Sequence, residues 1–240
     1  MANFCTKCGK KLEAGEEHTC EVKEETKKEE TKAEAKTATT SSVDVKGGFT
    51  DAGSAIKGIF TKPIDVIESF VTDSKFIAGI ILIVMTALAK GLSTVITLWH
   101  AFDKVKAYSS YEPKYFDEFF KTFATDLVRY AGIAFIAYLV ITVILKGKAT
   151  WKETLAATGL SLIVIIATTI VSTILIFFEG DLVSYIGGYV ATFGSAFCMF
   201  VLYEGMKAKA GIDKNKLFLS LASVLVGAEI IVDIVNKIFS

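Results

Sequence analysis

From about residue 76 onward, the apolar residues of this chain are gathered into five blocks rather than spread at helical or strand period. Each block reaches the roughly 18 to 20 residues that a bilayer-spanning helix requires. The predicted spans are 77–98, 127–145, 156–178, 182–203 and 217–238, within a membrane domain over residues 76–240. The only two prolines, Pro63 and Pro113, lie outside the blocks. Five such helices packed in water would leave too little polar surface, so the pattern predicts an all-α membrane protein, a five-transmembrane-helix bundle.

The preceding residues obey other rules. Over residues 49–75, Phe49, Ala52, Ile56, Ile59, Ile64, Ile67 and Phe70 recur at three- to five-residue spacing, with Lys57, Asp65 and Glu68 between them. This spacing predicts an amphipathic helix interrupted at Pro63, lying at the membrane surface or packed as a soluble helix on the loops. Residues 21–48 alternate acid and base, and up to residue 46 contain no aromatic. Such a segment buries too little apolar area to offset its ordering entropy and reads as a disordered, charged tether. Six lysines against seven acids over residues 21–46 give it balanced charge, so no nucleic-acid partner is expected.

Residues 1–20 carry the clearest chemical motif. Cys5 and Cys8 are two residues apart and are followed by Gly9, which lets the backbone turn tightly around two sulfurs sharing a tetrahedral ion. Leu12 and Gly15 suit the small turn that follows such a knuckle, and His18 and Cys20 supply an irregular second half-site. The expected cofactor is Zn2+ on Cys5, Cys8, His18 and Cys20, in a closed structural set; otherwise His18 is an exposed imidazole and another group fills the fourth position. A redox reading lacks the surrounding strand–helix pattern. The first 20 residues contain no apolar signal region, so the thiols are expected in a reducing cytoplasm.

Charge then orients the bundle. With the N-terminus inside, ten lysines flank the inner side and five the outer, or six outer cations with Arg129 counted. The expected topology is a plasma-membrane protein with a cytoplasmic N-terminus and an outer C-terminus. Twenty-five of the 26 basic residues are lysine and isoleucine is abundant, a composition that points to a bacterium with an AT-rich genome.

Three charges interrupt the apolar blocks. Lys90 is the fourteenth residue of the first span, and Glu229 and Asp233 lie four apart in the fifth, on one helical face. A lone charge at mid-bilayer costs roughly 2.5–3.5 kcal/mol on insertion scales. The matching depths lead to the expectation that Lys90 pairs with Glu229 or Asp233, joining spans one and five. Snorkelling of Lys90 toward the surface and a proton or ion pathway are the other readings. Elsewhere, Ser184, Gly187, Gly188, Ala191, Gly194 and Ser195 form a small-residue stripe for close helix approach on span four. Thr168, Thr169, Ser172 and Thr173 can bond their own helix, and lone Cys198 reads as a packing residue. No nucleotide loop, Ser-His-Asp set or His-Glu-x-x-His motif occurs, and no enzymatic activity is expected.

Two stretches carry a resemblance. Residues 58–67 (GIFTKPIDVI), just before span one, and residues 146–155 (KGKATWKETL), the basic turn into span three, resemble bacterial members of the Yip (Ypt-interacting protein) family. The similarity covers about residues 56–240, and it implies five spans and a cytosolic N-terminus rather than an activity. The N-terminal module resembles the zinc-ribbon tips that many low-GC Gram-positive bacteria attach to membrane proteins. The function expected is therefore a non-enzymatic membrane scaffold or adaptor, bound to the lipid bilayer and recruiting a protein partner through the ribbon. A small transporter or ion-conducting protein using Lys90, Glu229 and Asp233 is the alternative, and a metal or stress sensor a further one.

Overall fold

The computed structural model describes residues 3–4, 11–12, 44–107, 112–178 and 181–239; several side chains of the last two helices, Glu229 among them, fall outside that description. The chain divides into two compact units, residues 1–41 and 42–240. In the first, β1 (Asn3–Phe4) pairs antiparallel with β2 (Lys11–Leu12), Asn3 opposite Leu12 and Phe4 opposite Lys11.

The second unit is helical. α1 (Val45–Gly58) starts behind Asp44, whose carboxylate accepts a hydrogen bond from the Gly47 N–H at 2.8 Å. It begins four residues earlier than the spacing predicts. After a turn through Thr61, α2 (Pro63–Phe70) opens on Pro63, whose fixed φ and missing N–H suit a first helical position. The interruption foreseen at Pro63 is thus a clean break between two helices. Ala52, Ala55, Ile59, Ile67 and Phe70 are buried against the bundle, whereas Val45, Phe49, Phe60 and Ile64 are exposed. The segment is amphipathic, and its buried stripe packs chiefly on the third helix.

A single 3-10 turn (Asp73–Lys75) leads into α3 (Phe76–Val105). α4 (Tyr115–Leu139) runs into a π turn (Val140–Ile144), and α5 (Trp151–Leu175), α6 (Asp181–Ala210) and α7 (Lys214–Phe239) complete the unit. Among the described residues, four helical stretches are long and apolar enough to cross a membrane: 73–105, 115–144, 151–175 and 185–207. α7 occupies the place of the expected fifth span and is 26 residues long. Most of the helices overrun the predicted spans, above all α4, which starts twelve residues early, whereas α5 starts five residues early and stops three short. That early part is amphipathic and is held by its own aromatics, Phe116 on Phe120 at 4.5 Å and Phe119 on Phe120 at 5.1 Å.

The centre is α5. Every residue from Thr154 to Val164 is buried, which is why this helix shows no polar face. It packs against α3 on one side and α6 on the other, α4 lies along α3, and α7 lies mainly along α4. α3 and α5 touch backbone to backbone at Gly79 and Gly159. A Cβ on Gly79 would sit 2.6 Å from the Leu155 carbonyl oxygen, and one on Gly159 would overlap the Gly79 carbonyl. Without side chains the helices gain close dispersion contact along their length. The stripe foreseen on α6 works at one position: a Cβ on Gly194 would meet the Thr168 side chain, whereas Gly187 and Gly188 face open space.

Candidate functional site

α3, α4, α5, α6 and α7 each contribute to one cavity of about 400 Å³, and its wall residues lie near the midpoints of their helices. Lys90 comes from α3, Arg129 and Tyr130 from α4, Leu162 from α5, Cys198 from α6 and Val226 from α7. Asp126, only 4% exposed, is ion-paired with the Arg129 guanidinium one turn along α4. The i,i+3 spacing places both groups on one helical face. Burying either charge alone is costly, and the pairing offsets part of that cost. Lys90 is half-buried and makes no hydrogen bond or ion pair among the described residues. The cavity therefore mixes fixed charge with apolar wall in the middle of the bundle. Cys198 is half-buried, and its Sγ–H reaches the Ser161 hydroxyl at 3.4 Å, consistent with the packing role expected of it.

A second polar assembly ties the helix ends beside α1 and α2. Thr150 caps α5: its hydroxyl accepts from the Glu153 N–H at 3.1 Å, and the Glu153 carboxylate accepts from the Thr150 N–H at 3.0 Å. The same hydroxyl donates to the Asp73 carboxylate in the 3-10 turn. Lys75 pairs with Asp51 of α1 at 2.5 Å, Lys152 lies over the Phe76 ring at 5.0 Å, and Lys209 of α6 reaches Glu153 at 3.7 Å. The Lys148 N–H donates to the Ala210 carbonyl at 3.0 Å, and Gly147 fits against that carbonyl only because it has no Cβ. The two stretches 58–67 and 146–155 thus belong to one end of the bundle, where they fasten α1 and α2 to α3, α5 and α6.

The zinc candidates Cys5, Cys8, His18 and Cys20 lie outside the described residues; β1 and β2 flank the Cys5–Cys8 segment. Among the described residues there is no cluster of metal-ligating side chains. Lys90 is brought to the cavity. Asp233 is exposed and forms no ion pair with Lys90, and the Glu229 side chain lies outside the described residues. What the spacing of apolar blocks missed is Asp126, and Arg129 was visible only as a flanking charge. The Asp-x-x-Arg spacing just before an apolar run was the available signal. On α5 the hydroxyls behave as foreseen, Thr168 donating to the Val164 carbonyl at 3.0 Å and Thr173 to that of Thr169 at 2.7 Å.

Long apolar helices around a buried ion pair define a multi-pass helical membrane protein. Residues 57–234 match the Yip1 domain, about three quarters of the chain, and the chain belongs to that family. Comparison with curated proteins and with solved structures finds no match.

Proposed function

We propose that this protein is a non-enzymatic scaffold or adaptor of the bacterial plasma membrane, in which a five-span bundle carries a cytosolic zinc ribbon on a charged tether. The observation that carries the reading is the pairing of Asn3–Phe4 with Lys11–Leu12, the hairpin a Cys-x-x-Cys knuckle needs, in the same chain as a membrane bundle. Three thiolates and an imidazole, from Cys5, Cys8, Cys20 and His18, match the tetrahedral preference of Zn2+, which would close the module and supply no reactive position. The module is then a recognition tip for a protein partner. The tether reaches on the order of 25–30 Å if flexible.

The test is proximity labelling from the N-terminus in living cells, with and without Cys5→Ser and Cys8→Ser. An adaptor loses a specific set of labelled neighbours when the knuckle is broken, while the membrane domain stays at its normal level. An unchanged set of neighbours refutes it. The cavity at Lys90 favours one other reading, a small transporter or ion-conducting protein using Lys90, Glu229 and Asp233; liposome flux that collapses on Glu229→Gln would replace the adaptor reading.

A further inference from the structure

We propose that the midpoint cavity binds an amphiphile with a single anionic head, a carboxylate or phosphate held by Lys90 and Arg129 with its apolar body along Ile133, Leu162, Ile165 and Val226. This inference stands apart from the adaptor reading, since it concerns the membrane domain alone. Three observations carry it. The first is size: about 400 Å³ falls within the roughly 300–1,000 Å³ of small-molecule sites. The second is charge. Asp126 answers Arg129, but Lys90 has no hydrogen bond or ion pair among the described residues, so the described walls carry one positive charge in excess. Two cations lining one partly buried cavity favour an anion that enters between them, because the attraction offsets part of the cost of taking each charge out of water. The third is composition: besides the two cations, the lining includes the aliphatic Ile133, Leu162, Ile165 and Val226, with Tyr130 and Ser195. A small inorganic anion would leave that aliphatic wall unused, whereas an amphiphile fills both parts.

The carboxylate or phosphate head can come from a membrane lipid or from a free fatty acid, and the experiment separates the two. The full chain, purified in phosphatidylcholine nanodiscs, is titrated with phosphatidylglycerol or with oleate, and the bound amphiphile is counted by native mass spectrometry. Retention of one phosphatidylglycerol about tenfold more tightly than phosphatidylcholine assigns the site to a lipid head; the same preference for oleate assigns it to a free acid. Lys90→Gln should bring the preference to within about twofold, Lys90→Arg should keep most of it, and Lys121→Gln, on the exposed side of α4, should leave it unchanged. Lys90 has no described partner, so its replacement is expected to leave the fold intact, which the melting temperature in the same discs checks. No preference for either anion, or a Lys90→Gln protein that binds like the parent, overturns the proposal. So does a Lys90→Gln protein destabilised as much as Glu229→Gln, since Glu229 would then be the counter-ion and the cavity would need no ligand.

Discussion

Asp126 and Arg129 show how much depends on where a helix begins. A span starting at residue 127 puts Arg129 near the lipid surface and Asp126 in a loop, where both are cheap. The structure starts α4 at Tyr115 and carries the pair to the helix midpoint. Breaking a buried pair from one side costs about 3–5 kcal/mol, because the remaining charge is left in low dielectric. Arg129→Met should therefore lower the unfolding free energy by about that much, read by steric-trapping or urea titration in detergent. Adding Asp126→Asn should recover a large part of the loss; if the two losses merely add, the pair is not acting as a unit. Lys146 makes a smaller case. It lies just after the π turn at φ 55°, a left-handed conformation that costs a side-chain-bearing residue roughly 1–2 kcal/mol and glycine very little. Lys146→Gly should raise the melting temperature slightly, provided Gly147 remains to fit against Ala210.

At the scale of elements, the apolar blocks located the four described helices long and apolar enough to cross a membrane, but not their ends. Block length follows hydrocarbon thickness, whereas helices run on as far as caps and neighbours allow. α4 gained three turns from phenylalanines packed tilted and edge-on, with Gly91 of α3 leaving room for Phe119. Helix contacts were less legible. The small-residue stripe on α6 was conspicuous and is mostly unpartnered, while the tightest crossing uses two isolated glycines eighty residues apart in the chain. Nothing local marks a glycine as a contact when its partner lies on another helix. Gly159→Ala should force α3 and α5 apart, at a cost of about 1–3 kcal/mol, whereas Gly188→Ala should be close to neutral; thermal unfolding of the two variants side by side gives the comparison. The α5 cap is legible in the sequence as Thr-x-x-Glu ahead of an apolar run. Thr150→Val removes that cap and the bond to Asp73, and a loss of about 1–2 kcal/mol is expected in the same measurement.

For the whole molecule, the sequence predicts a zinc tip over residues 1–20, a tether over 21–48 and a membrane body from about residue 76, whereas the chain divides into two compact units after Ser41, within the stretch expected as tether. The full chain is expected to hold about one zinc per molecule by mass spectrometry, and Cys5→Ser with Cys8→Ser to lose it without shifting the bundle's melting temperature. Cysteine-accessibility mapping at residues 57 and 152 against the exposed end of α7 decides the topology: a five-span chain labels them from opposite sides. The contact between Gly79 and Gly159 has a further consequence in the order of synthesis. α3 emerges from the ribosome long before α5, so its most intimate neighbour does not yet exist when it enters the bilayer. Until Leu175 has been made, α3 has only α1 and α4 for company, and the groove beside Gly79 stands open to lipid or to a quality-control protease. A nascent chain halted at Ile144 should therefore be short-lived, and one halted after Leu175 should be the first to persist.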